Sequence, residues 1–183
     1  GNAHILKYED LSGIDVHFWN GAAQTLTGYD ILSNAFSAKD LAVSRNGYAL
    51  VLSANNSTRS VWTSIFDPAT KAWTSEFLNK GQKGSYYFSD FKAVASDNGH
   101  FAVSWQEDQN SGNSRWVRAW SPETGWSPVF KAGYLDSSSP YYSHSTIYYH
   151  AMDINNHGDM AITWLLRENG SSNYAVHLLT RKA

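Results

Sequence analysis

The stretch SDNGHFAVSW, Ser96 to Trp105, returns twice in altered form, as SRNGYALVLS from Ser44 and as NNHGDMAITW from Asn155. Each copy places a polar turn ending in glycine before a run of small, β-branched and aromatic residues. The three turn glycines are Gly47, Gly99 and Gly158, so the spacings are 52 and 59 residues. Periods of this order mark stacked units such as propeller blades.

Working outward from the middle copy, the unit reads FKAVAS, the turn DNG, HFAVSWQED, the polar loop QNSGNS, RWVRAW, the turn SPETG, and WSPVFK. Runs of five to seven residues bounded by Gly, Asn, Asp, Ser or Pro read as strands, which gives four per unit. The Asn-Gly pair predicts a two-residue hairpin with positive φ at both central positions. The preceding copy matches element by element: DLAVS, RNG, YALVLS, ANNST, RSVWTSIF, DPATK and AWTSEF. The later copy supplies HAMDI, NNHG, DMAITW, LRENGSS and NYAVHLL, without a fourth strand. GNAHILKYED superimposes on GHFAVSWQED, with Glu9-Asp10 on Glu107-Asp108, so the first unit starts in its second strand. IDVHFWN and TLTGYDIL then fill its third and fourth positions. The strand count is three, four, four and three, over units of residues 1–37, 38–88, 89–146 and 147–183 within one domain, 1–183.

A four-stranded antiparallel unit has two faces to bury, and radial stacking buries both. The expected fold class is therefore all-β, built of β-propeller blades. LAVS, AVAS and AMDI, with small side chains, are the expected inner strands, and Trp62, Trp105, Trp116 and Trp164 the expected core between blades. The incomplete first and last units leave three arrangements open: a piece of a longer propeller, a ring completed by a second chain in a homo-oligomer, or a four-bladed ring with one irregular blade.

Composition agrees with strands and turns: 42% hydrophobic and 15% aromatic residues, with 8 Trp and 11 Tyr against 2 Met. A net charge of -2 without a basic cluster argues against nucleic acid as a partner. No apolar run nears the roughly 20 residues that span a bilayer, and the first residues show no basic start followed by an apolar stretch. With no cysteine, disulfide and thiolate chemistry are excluded.

The pattern G-x-x-A-[VI]-x-W, as in GHFAVSW and GDMAITW, is followed by W-x-x-x-[FW]-x-P-x-T and a further Trp, as in WTSIFDPATKAW and WVRAWSPETGW. It resembles a tandem repeat of bacterial secreted or surface proteins whose unit looks like a propeller blade. The resemblance covers nearly the whole chain and implies a fold and a secreted or cell-surface location, with no chemistry attached. Lys7 departs from it, standing where Trp is expected.

Candidate sites follow from what the repeat leaves over. GSYYFSDF and SSSPYYSHSTIYYH, joining one unit to the next, concentrate Tyr86, Tyr87, Tyr141, Tyr142, Tyr148 and Tyr149 among Ser, Asp and His. Tyrosine beside hydroxyls and carboxylates makes a recognition surface for sugars or proteins, and Asp108 in the adjoining loop joins these expected ligand contacts. A pair of carboxylates is what glycoside hydrolysis needs, so Glu9, Asp10, Glu107 and Asp108 carry the competing enzymatic reading, a glycosidase or lyase. Repeated acids more often solvate a loop than catalyse. The seven histidines include no metal-ligand spacing, and His144 and His150 read as surface loop residues. No cofactor is expected; Asp97, Asn98, Asp153 and Asn155 offer oxygens to Ca²⁺ but lack the density of a calcium loop. The functional expectation is a non-enzymatic, lectin-like binding or scaffold domain for a glycan or a protein ligand.

Overall fold

The computed structural model describes residues 3–9, 13–20, 25–32, 36–55, 57–80, 85–109, 112–136, 148–167 and 174–182, with side chains over 36–55, 57–79, 88–108, 114–132, 150–165 and 174–182. Among these residues fifteen strands and no helix form four antiparallel sheets in chain order. Sheet one holds β1 (Ala3–Glu9), β2 (Gly13–Asn20) and β3 (Thr25–Leu32), and sheet two holds β4 (Ser37–Val43), β5 (Ala49–Asn55), β6 (Ser60–Asp67) and β7 (Ala72–Lys80). Sheet three runs β8 (Ser85–Ala95), β9 (Phe101–Gln109) and β10 (Gly112–Ser121), then β11 (Gly125–Trp126) and β12 (Phe130–Asp136), both paired with β10. Sheet four is β13 (Tyr148–Ile154), β14 (Met160–Arg167) and β15 (Tyr174–Arg181).

The division of strands among sheets is the one the repeat predicts, with one local difference. The fourth strand of sheet three is broken at Ser127-Pro128-Val129, where Pro128 has no N–H to give a ladder. Ser127 patches the break: its N–H donates to the Ala119 carbonyl at 2.8 Å, and its Oγ accepts from the Ala119 N–H at 3.1 Å.

The repeated turns differ from the expected two-residue hairpin. Only the glycines take positive φ, at 96° for Gly47, 87° for Gly99 and 83° for Gly158. In each, the glycine N–H bonds back three residues, to the carbonyl of Ser44, Ser96 or Asn155. The N–H of that same residue reaches four residues ahead, to Tyr48, His100 or Asp159. Each turn is thus a three-residue loop closed by a left-handed glycine, a geometry that asks nothing unusual of the preceding Asn or His. The turns also touch one another. The Asn46 N–H donates to the Asp97 carbonyl at 3.2 Å, and the Asp97 N–H to Asn156 Oδ1 at 2.9 Å. The sentence written three times in the sequence becomes a ladder of three turns across the molecule.

Alternation along each strand serves two junctions at once. Phe101, Val103 and Trp105 of β9 pack with Leu50, Leu52, Val61, Ile65 and Leu78 of sheet two. On the other face, Ala102 and Val117 of sheet three meet Met152, Ile154, Met160, Ile162 and Trp164 of sheet four. Trp105 and Trp164 are buried at these junctions as expected; Trp62 and Trp116 are only partly so. The opening strands of sheets two, three and four, β4, β8 and β13, run as successive neighbours, and each carries a bulge within a residue of the same point of the repeat: between Ala38 and Asp40, Ser89 and Lys92, and Tyr148 and His150.

The outward face of sheet four has a different fate. Val61 and Arg115, on β6 and β10, are 0% exposed, whereas Val176 at the matching place on β15 is 72% exposed. The next residues on that face, Thr63, Val117 and Leu178, repeat the contrast at 0%, 0% and 65%.

Candidate functional site

Strand direction gives the molecule two ends. The repeated turns and the hairpins at Asp67–Ala72 and Ser121–Gly125 share one end. The other is where β9 passes to β10 and where one sheet hands over to the next.

At this second end lies a buried polar cluster. The β8 bulge holds Asp90 at a φ of 49°, a left-handed conformation that burdens a residue with a Cβ. Arg115 of β10, fully buried, secures it twice, through Nη1 to the Asp90 carbonyl at 2.8 Å and through Nη2 to Asp90 Oδ2. His150 of β13 brings Nδ1 to 2.9 Å from Asp90 Oδ1, an ion-pair distance, although its N–H direction is not that of a proper hydrogen bond. The opposite ring nitrogen, Nε2, is 3.1 Å from Ser104 Oγ on β9. Burial pushes the Asp90 carboxyl upward, but the His150 contact and the Arg115 charge outweigh it and hold the group below the ordinary carboxylate value. Burial likewise lowers the Arg115 guanidinium, against the pull of Asp90.

The order Ser104–His150–Asp90 is that of a hydrolase nucleophile and its relay. Ser104 is 0% exposed, however, and a nucleophile must reach its substrate. The cluster is a clamp joining β8, β9, β10 and β13. His150, expected at the surface, has a side chain 2% exposed; the β13 bulge turns it inward.

Glu107 and Asp108 sit beside this clamp and do not solvate a loop. They are 0% and 8% exposed. Glu107 Oε2 accepts from Trp116 Nε1 at 2.9 Å, while the two oxygens of Asp108 accept from Ser89 Oγ at 2.7 Å and Gln106 Nε2 at 2.5 Å. The backbone of Tyr87 pairs with Asp108, which brings the start of β8 to this end. The side chains of Glu9, Tyr86, Tyr87, Tyr148 and Tyr149, and the whole of Asp10, Tyr141 and Tyr142, lie outside the described residues. Asp90, Ser104 and Arg115 were not singled out by motif. The available signal was a charge, Arg115, at the position that the neighbouring unit fills with Val61.

Among the described residues two clefts flank the Ser121–Gly125 hairpin at the turn end, and a further one of about 320 Å³, lined by Asp153 and Asp159, shares Arg181 with the larger of them. The cleft between sheets two and three, about 240 Å³, is bordered by Tyr48, Trp120 and Trp126 with Asp67 and Glu76. Burial, then the charges of Asp67 and Glu123, raises the Tyr48 phenol above its ordinary value. The cleft between sheets three and four, about 370 Å³, takes Trp120, Ile154 and Met160 as its apolar walls and His100, Glu123 and Arg181 as polar groups. Among the described residues no group of three metal-ligating side chains converges, and Asn155 Oδ1 is taken by the N–H groups of His157 and Asp159.

Neither a scan of protein-family models nor a comparison with curated protein sequences gives a match. Solved structures share the architecture. The polysaccharide lyase Uly1 aligns with a TM-score of 0.58 at 13% identity, over 99% of this chain and 55% of that one. A structure from a study of two prolyl endopeptidases aligns with a TM-score of 0.51 at 11% identity, over 96% of this chain and 28% of that one. The neighbours are propeller-like, and what this chain shares with them is an all-β architecture of antiparallel sheets. This chain spans 55% of the first neighbour's length and 28% of the second's, and at these identities the likeness is one of fold alone.

Proposed function

We propose that the chain is a non-catalytic recognition module of a secreted or surface bacterial protein, taking carbohydrate as its ligand. The observation that carries this reading is the contrast between acids and aromatics. Glu107 and Asp108, which the enzymatic reading needs, are buried and engaged by Trp116, Ser89 and Gln106. Aromatic faces, by contrast, border clefts together with carboxylates and hydroxyls, the mixture that holds a sugar ring by its apolar face and its hydroxyls. The tyrosine-rich connections with Tyr86, Tyr87, Tyr141, Tyr142, Tyr148 and Tyr149 add, by composition, further aromatic and hydroxyl groups of the same kind. A glycan-array screen of the folded chain tests it, with turnover of the same polysaccharides measured in parallel. Binding without turnover supports a recognition module; turnover abolished by Glu107→Gln or Asp108→Asn replaces it with a polysaccharide-active enzyme.

Assembly enters through the uncovered face of β15, where Val176 and Leu178 are exposed while the matching Arg115 and Val117 are covered by the next sheet. In this reading a sheet of a second copy covers that face. A strictly monomeric solution mass at high protein concentration argues against it. Among the described residues no helix is long and apolar enough to cross a membrane.

A further inference from the structure

The repeat itself shows where the last unit departs from its pattern. The third strand closes on an aromatic residue, Phe66 in sheet two and Trp120 in sheet three. Phe66 pairs with Ala49 and Trp120 with Phe101 at the start of the second strand. In sheet four the partner at that place, Met160, faces Arg181. An aromatic plug is thus replaced by a cation, at the mouth of the larger of the two clefts.

Arg181 is half-buried and held in place. Its Nη1 donates to Ser127 Oγ at 3.2 Å, and its guanidinium stands over the Phe130 ring at 4.9 Å. No carboxylate pairs with it among the described residues. The other charged groups on the cleft are Lys182, adjoining it, and Glu123 on the hairpin opposite, with His100 also lining the wall. Both Lys182 and Glu123 are exposed, so water screens them more than it screens Arg181. Trp120, Ile154 and Met160 supply the apolar walls. A volume of about 370 Å³ suits one or two sugar rings.

We infer that this cleft binds an acidic saccharide, with the carboxylate of a uronic or sialic acid on Arg181, the ring against Trp120, and hydroxyls toward Glu123 and Ser121. This rests on the recognition module proposed above and names its ligand class. A planar guanidinium fixed by packing is suited to a carboxylate, because its donors are already oriented for paired bonds.

The test uses oligogalacturonate, oligoglucuronate and sialyl-lactose, each beside its neutral methyl ester, with binding to the whole chain measured by calorimetry. At least one acid is expected to bind at least tenfold more tightly than its ester, with a preference that shrinks in high salt. Arg181→Gln abolishes the preference while the melting temperature is kept. Arg181→Trp, which restores the plug of the repeat, abolishes binding of acid and ester alike in a folded protein. Equal binding of acids and esters, or an unchanged preference in Arg181→Gln, overturns the assignment but leaves glycan recognition standing. Failure of every glycan, neutral or acidic, to bind the folded chain overturns both.

Discussion

The two described junctions bury equivalent faces of the same repeat with different chemistry. Between sheets two and three the seal is apolar, with Leu50, Leu52, Val61 and Ile65 against Phe101, Val103 and Trp105. Between sheets three and four a smaller apolar group around Met152, Ile162 and Trp164 shares the space with the Asp90–Arg115 ion pair and the His150 ring beside it. An apolar seal tolerates small shifts, since its energy follows area. An ionic clamp has one good geometry and penalises the rest. The second junction is therefore the one whose register is dictated by charge.

The largest effect is expected where the apolar seal is opened. Trp105→Ala removes the largest fully buried side chain and leaves a cavity facing Leu52 and Val61. A loss of about 4 kcal/mol is expected in denaturant unfolding. A loss below about 1 kcal/mol would mean that the junction collapses around the gap and is not packed as described.

Breaking the clamp comes next. Arg115→Ala strands Asp90 in its left-handed bulge and leaves its carboxylate without the guanidinium that compensates it. About 3 kcal/mol is expected, toward the lower end for a buried pair because the Asp90 side chain is 34% exposed. The pH dependence has a definite sign. With its carboxyl held below the ordinary value of 3.8, Asp90 adds stability that is fully present above that pH and is lost as pH falls through the lower folded value. Asp90→Asn should flatten this acid limb, whereas Trp105→Ala should lower the whole curve without changing its shape. An unchanged acid limb in Asp90→Asn would place the titrating group elsewhere.

The contrast between the junctions also explains what could be read from the sequence. Periodic information was legible: the turn glycines, the apolar alternation, the aromatic closing the third strands of sheets two and three, and hence the division of strands among the four sheets. The clamp was not, because it is assembled from β8, β9, β10 and β13 and follows no motif. Asp90 and His150 reach each other because bulges in β8 and β13 turn them toward one junction, and a bulge leaves no mark in composition. Glu107 and Asp108 looked like loop acids since polar residues follow them. The structure extends β9 to Gln109, which draws both into the sheet interior. The turn chemistry was half legible: glycine was required, as expected, but the three-residue loop placed the demand on glycine alone.

The turn ladder, shared by both junctions, offers a smaller test. A Cβ added at Gly99 would stand 2.9 Å from Tyr48 Cδ2 and about as close to the Asn46 amide, at a φ of 87°. Gly125, at a φ of 70°, has nothing within 4 Å of the same atom. Gly99→Ala is expected to lower stability by about 2–3 kcal/mol and Gly125→Ala by about 1 kcal/mol, the backbone term alone. Equal losses would show that the contact between neighbouring turns contributes nothing.

The smallest expected effect sets covered faces against the uncovered one. Val117 and Val176 stand on matching faces of β10 and β15, at 0% and 72% exposure. If burial by the next sheet is what gives this face its value, Val117→Ala removes contacts with sheet four and weakens the fold by about 1–2 kcal/mol. Val176→Ala, with water on that face in the single chain, stays within about 0.5 kcal/mol at low protein concentration. Repeating both measurements at high concentration turns the pair into a test of assembly. A Val176 penalty that grows with concentration requires a partner on β15, because mass action adds the free energy of association to the apparent stability of the wild type alone. A penalty independent of concentration means that this face gains nothing from a second copy.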